Sequence, residues 1–69
     1  MWVVYEKPRD FPESWVARRW AIYNNTAQPT PEVMVSPTLA ALDDVFLERG
    51  YAKLARSEHD EPHIVCSWV

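Results

Sequence analysis

Trp2-Val3-Val4-Tyr5 and Trp15-Val16-Ala17-Arg18-Arg19-Trp20-Ala21-Ile22-Tyr23 flank a polar segment, Glu6 to Ser14, that carries Pro8 and Pro12. β-Branched and aromatic residues suit a pleated, half-buried surface, so the two runs read as antiparallel strands joined by a proline-punctuated loop. The first strand is expected over about Trp2 to Glu6 and the second over about Ser14 to Tyr23. Alternation along the second strand separates Val16, Arg18, Trp20 and Ile22 from Trp15, Ala17, Arg19, Ala21 and Tyr23. The even set is the more apolar and is assigned to the core. Trp15, Arg19 and Tyr23 are thereby expected on the outer face.

Outward from these strands, Asn24-Asn25 suits a tight turn, and Pro29-Thr30-Pro31 favours an extended polyproline-like path. Residues 24–37 therefore read as an irregular connection, with Val33-Met34-Val35 left to pack or to add a short bridge. One helix follows. Ser36 suits the N-cap and Pro37 the first helical position, the body runs from Thr38 to Arg49, and Gly50, the only glycine, falls where helices end in left-handed geometry. Leu39, Leu42, Val45 and Phe46 form its apolar stripe. Asp44 and Glu48 stand four apart on the opposite side, with Asp43 at the margin. Tyr51 to Arg56 and His63 to Val69 read as two further strands around the polar turn of residues 57–62. The expected architecture is a single α+β domain over residues 1–69, β-β-α-β-β, with one helix laid on a mostly antiparallel sheet.

A chain of 69 residues with 48% apolar and 13% aromatic content is globular in composition and at the small end of what folds alone. No run of apolar residues is long enough to span a bilayer, and the opening lacks the basic-then-apolar pattern of a secretory leader. One cysteine, Cys66, excludes an internal disulfide and fits a reducing compartment, so the expected location is cytoplasmic. Asn24-Asn25-Thr26 matches a glycosylation sequon but reads as a turn. The net charge of −3 is unevenly spread: residues 1–20 hold four cations against three acids, and the remainder seven acids against three cations. Nucleic-acid binding needs a basic footprint, so direct contact with nucleic acid is not expected.

The residues present do not assemble a recognised chemistry. His59, Asp60, His63 and Cys66 have metal-ligand types, but structural zinc needs four ligands in a tighter cysteine-rich pattern. His63 and Cys66, three apart, face opposite sides of a regular strand. Cys66 with either histidine lacks the glycine-rich turn or helix start that would supply an oxyanion pocket. The acid pairs Asp43-Asp44 and Asp60-Glu61 lie on a helix exterior and in a turn, where carboxylates are solvated rather than tuned for proton transfer. No enzyme activity, metal or cofactor is expected. Trp15, Arg19 and Tyr23, by contrast, are residue types that dominate binding surfaces.

The run from Trp2 to Trp20 resembles the opening of small bacterial and phage proteins that share a tyrosine, a Pro-Arg-Asp-aromatic-Pro loop (here Pro8 to Pro12) and a Val-Ala-Arg-Arg stretch (here Val16 to Arg19). That likeness covers about the first third of the chain and implies no catalytic residue. In size and acidity the chain is also similar in type to anti-CRISPR proteins, phage-encoded inhibitors that occupy a nucleic-acid-binding or subunit surface of a CRISPR effector complex. The resemblance implies that Asp43, Asp44, Glu48, Glu58, Asp60 and Glu61 stand in for phosphates against a basic protein surface, with Trp15, Arg19 and Tyr23 adding apolar contact. The expectation is a non-enzymatic inhibitor with a protein partner. The alternative is a homodimer or accessory bacterial protein without inhibitory action.

Overall fold

The computed structural model describes residues 1–56 and 62–69. It has the expected α+β architecture, with one strand more than the sequence reading gave. β1 (Trp2–Glu6), β2 (Trp15–Tyr23), β3 (Thr26–Ser36), α1 (Leu39–Glu48), β4 (Lys53–Ala55) and β5 (Ile64–Trp68) follow in chain order. The strands form a single sheet in the order β3-β2-β1-β5-β4, and every neighbouring pair is antiparallel. The first and last strands thus lie side by side at the centre, and α1 carries the chain from one edge of the sheet to the other.

The added strand is β3, which replaces the expected irregular connection. Pro29 and Pro31 forbid a central strand because they donate no ladder hydrogen bond, but an edge strand needs donors on one side only. β3 is such an edge. Its register against β2 also breaks, with Thr30, Pro31 and Glu32 standing opposite the single residue Arg19. This bulge accommodates Pro31. Asn24 and Asn25, at φ 48° and 63°, form the two-residue turn between β2 and β3, a type I′ geometry whose twist matches that of the strands.

The helix starts later than its sequence signals indicate. Ser36 ends β3, and Thr38 is the N-cap, its Oγ1 accepting from the Ala41 N–H at 3.3 Å. Ser36 contributes one step earlier, its Oγ accepting from the Thr38 N–H at 3.3 Å. The C-terminus matches expectation. Gly50 takes φ 82°, its N–H donates to Leu47 O, and the Tyr51 N–H donates to Phe46 O. Those two bonds define a Schellman cap. The apolar contact that accompanies such a cap is present, with the Tyr51 ring edge-on to Phe46 at 5.5 Å.

Phe46 is fully buried and lies at the centre of the core. It stacks on Trp68 at 5.3 Å and meets Trp2 at 5.7 Å, so one helix residue bridges the central strand, its C-terminal neighbour and the helix cap. Leu42 from the helix and Val4, Ala17 and Cys66 from the sheet complete this cluster, with Trp15, Met34 and Leu39 packed against it.

This packing reverses the expected faces of β2. Ala17, opposite Val4, and Trp15, opposite Glu6, belong to the helix side. Val16 is buried, but alternation turns it to the face without a helix, beside Tyr5. Trp20 is half-buried on that second face, and Ile22, expected in the core, is 69% exposed. A period-2 pattern with apolar residues on both sides cannot identify which side the single helix covers.

The second face is shielded by the loop between β1 and β2. Two consecutive turns shape the loop, with Phe11 N–H donating to Pro8 O and Ser14 N–H to Phe11 O. A Lys7 N–H to Ser14 O bond closes its base. The Asp10 carboxylate accepts from the Arg18 guanidinium and so ties the loop to β2. Arg18, expected to extend toward an edge, is instead half-buried beneath this contact.

Replacing Phe46 with alanine is expected to cost about 3–5 kcal/mol, a large share of the stability of a domain this small. Urea denaturation followed by tryptophan fluorescence measures it, and a loss below about 1 kcal/mol would contradict the central role assigned to this ring.

Candidate functional site

β1 accompanies β2 only as far as Arg19, opposite Trp2, with two further bonds, from the Trp20 N–H to Met1 O at 2.7 Å and from the Met1 ammonium to Trp20 O at 3.3 Å. Beyond that point β2 has β3 alone as its neighbour, through Ala21–Gln28, Ile22–Ala27 and Tyr23–Thr26. Residues 21–28 therefore form a two-stranded arm that runs past the rest of the sheet. Ile22 and Tyr23 project from opposite faces of the arm, and each is 69% exposed. Two large apolar side chains held in water at the end of a rigid turn are not explained by the packing of this domain.

An isolated hairpin is marginal in water, so the arm depends on how its base is held. The Thr30 hydroxyl donates to Arg19 O at 3.1 Å and accepts from the Glu32 N–H at 3.3 Å. Across the same bulge, the Arg19 guanidinium donates to Glu32 Oε1 at 2.7 Å. Half-exposed ion pairs contribute little, and the hydroxyl is the better-placed clasp because it satisfies two backbone groups that the bulge removes from the ladder.

The residues singled out from sequence do not converge on one patch. Trp15 is half-buried against the core rather than on an outer face, and eight residues of strand at about 3.3 Å each separate it from Tyr23. Arg19 is committed to Glu32 at the base of the arm, and Tyr23 stands at its tip. Asp43 is half-buried, with Oδ2 accepting from Lys53 Nζ at 3.3 Å and Oδ1 buried without a hydrogen-bond partner among the described residues. Lys53 also lies over the Trp68 ring at 5.6 Å, which ties helix, edge strand and core together. Asp44 and Glu48 are exposed on α1 and have no ion-pair partner among the described residues. Glu58, Asp60, Glu61 and His59 lie outside the described residues.

Cys66 and His63 lie apart, but not on one regular strand: His63 precedes β5, and the β1–β5 register shifts between Ile64 and Cys66. Cys66 is buried in the helix-side core, where loss of solvation pushes its thiol above the ordinary value; Lys53 opposes that rise and Asp43 adds to it. A protonated, enclosed thiol is a poor nucleophile. His63 lies on the far side, in an open cleft of about 420 Å³ lined by Tyr5, Pro8, Arg9, Arg18 and His63. Among the described residues no group of three or more His, Cys, Asp or Glu side chains is placed to hold a metal ion, and no helix is long and apolar enough to cross a membrane.

Sequence reasoning missed Ile22 and the cleft. The signal for the arm was present in Asn24-Asn25, a dipeptide that accepts positive φ at both positions and so favours a tight hairpin. The cleft had no comparable signal, because its lining comes from β1, the following loop, β2 and the residue just before β5.

Replacing Thr30 with valine removes both bonds of the clasp while keeping a β-branched side chain. Amide exchange over residues 21–28 is expected to quicken severalfold, with global stability changed by no more than about 1 kcal/mol. Unchanged exchange in the arm would show that the bulge holds without the hydroxyl.

In comparisons with known proteins, no family model, no curated protein and no solved structure matches this chain.

Proposed function

We propose that this protein acts without catalysis, by binding a protein partner, and that the β2–β3 arm makes the contact. The observation that carries the reading is the arm itself: Ile22 and Tyr23 displayed on a preorganised hairpin beyond the sheet that would otherwise bury them. A rigid apolar anchor loses little conformational entropy on docking, which is where much of the cost of association lies. Tyr23 retains from the sequence reading its role as a contact residue, and Ile22 joins it.

The role most consistent with a small acidic chain whose described residues assemble no catalytic group is inhibition by occlusion. In this reading the protein is of phage or mobile-element origin, acts in the cytoplasm of a bacterial host cell, and covers a basic nucleic-acid-binding or subunit surface of a defence complex of the CRISPR effector type. Asp44 and Glu48 supply exposed negative charge free of internal ion pairing among the described residues. Their contribution is long-range attraction, screened over about 8 Å at physiological ionic strength. A second reading, self-association, draws on the open edge of β3, where Val33 and Val35 are exposed. Concentration-dependent sedimentation would favour it, and a monomer across the accessible range would exclude it.

The test is inhibition of a purified CRISPR effector's target binding by the intact chain, compared with two double variants. Changing Ile22 and Tyr23 to serine is expected to weaken inhibition by about 100-fold, the scale of two lost anchors. Reversing charge at Asp44 and Glu48 to lysine is expected to slow association and flatten the salt dependence. Circular dichroism should remain that of the parent for both. An arm variant that inhibits as well as the parent would refute the contact assignment, and a parent chain without effect on any effector type would refute the inhibitory role.

A further inference from the structure

We infer that the cleft on the helix-free face is a binding site for a small phosphomonoester with a flat or aromatic body. The site is separate from the arm, and the inference does not rest on the partner-binding role. Its volume of about 420 Å³ falls within the range of small-ligand pockets. Among the described residues its polar lining is cationic or donating: the guanidinium groups of Arg9 and Arg18 and the imidazole of His63. Tyr5 and Pro8 supply the apolar wall.

This lining is built rather than incidental. Arg9 lies inside the first of the two loop turns, between Pro8 and the Phe11 amide that bonds back to Pro8 O at 3.0 Å. The loop begins at Lys7, held at φ 46°, a left-handed conformation costly for a residue with a side chain, and its base is closed by the Lys7–Ser14 bond. Arg9 has no hydrogen-bond or ion-pair partner among the described residues, although the loop that carries it is bonded at both ends. His63 is fixed on the opposite wall. Its carbonyl accepts from the Glu6 N–H at 2.7 Å, and its Nδ1 lies 3.2 Å from Glu6 O. Because a carbonyl oxygen only accepts, Nδ1 carries the proton there, and Nε2 is the ring's remaining polar atom.

Arg18 already binds one anion, the carboxylate of Asp10, which does not itself line the cleft. That contact establishes that an oxyanion is accommodated at Arg18. It also leaves Arg9, unpaired among the described residues, as the charge for an incoming phosphate, whose oxygens match the planar fork of a guanidinium. A ligand therefore binds Arg9 directly and competes with, or shares, the Asp10 position at Arg18. Removing Asp10's charge strengthens binding, whereas a purely structural ion pair would give no such gain.

Phenyl phosphate is the probe, titrated into the 69-residue chain with amide shifts read by NMR and affinity by calorimetry. Saturable shifts are expected at Tyr5, Arg9, Arg18 and His63. Arg9→Ala should weaken binding by at least about tenfold, the effect of one charged hydrogen-bonding group. Asp10→Asn should tighten it, and His63→Gln provides a second weakening variant that leaves the loop untouched. Amide spectra of the unliganded variants establish that each is folded. The inference is overturned if the cleft residues show no saturable shift, if Arg9→Ala binds like the parent, or if phenol binds as tightly as phenyl phosphate.

Discussion

One aromatic ring sets the terms for the rest of the structure. With a single helix and no disulfide, the domain must connect helix, central strands and helix cap through very few buried side chains, and Phe46 makes all of those connections. It stacks on Trp68, tilts against Trp2 and receives the edge of Tyr51. Large rings bury much area per residue and add directional contact energy, which is how a chain of this length reaches native packing. The Schellman cap belongs to the same unit. The turn at Gly50 places Tyr51 back over Phe46, so termination of the helix and closure of the core are one event.

Most of the fold was legible because its signals are local. The Val3-Val4-Tyr5 run, the apolar stripe of α1 and the lone Gly50 each report a conformation set within a few residues. The two failures have a common physical origin in context. Pro29 and Pro31 argue against a strand until the strand is known to be an edge with a bulge opposite Arg19. The even and odd sets of β2 likewise cannot be ranked without knowing which face the helix covers. Val16 is buried and Ile22 exposed although they belong to the same alternating set, because one is flanked by strands on both sides, opposite Tyr5 and Val35, and the other lies beyond the end of β1. Candidate contact residues inherited these errors. Tyr23 remains exposed, Arg19 is paired within the domain, and Trp15 is part of the packing.

The sheet presents two different surfaces. Its helix side is an apolar interior completed by Lys53, which pairs with Asp43 and lies over Trp68. Its other side is covered by a short loop fastened through Asp10 and Arg18, and a thin polar cover of this kind leaves an open cleft lined by Tyr5, Pro8, Arg9, Arg18 and His63 where a second helix would leave none. The acids of α1 and the guanidinium groups of Arg9 in the loop and Arg18 in β2 are carried on different layers. The sign of the whole chain is a poor guide to what any one surface attracts.

The central position of β1, between β2 and β5, has a consequence for how the chain acquires its shape. β2 pairs with β1, and β3 with β2, through local hairpin connections that are available as soon as they are synthesised, but the other flank of β1 waits for residues 64–68. Until then Trp2 and Phe46 lack Trp68, and the growing polypeptide exposes an unpaired strand margin to any neighbouring chain. Closure of such a distant pairing is slow relative to hairpin formation, so the interval before the last strand arrives is when misassembly between nascent molecules competes with correct folding.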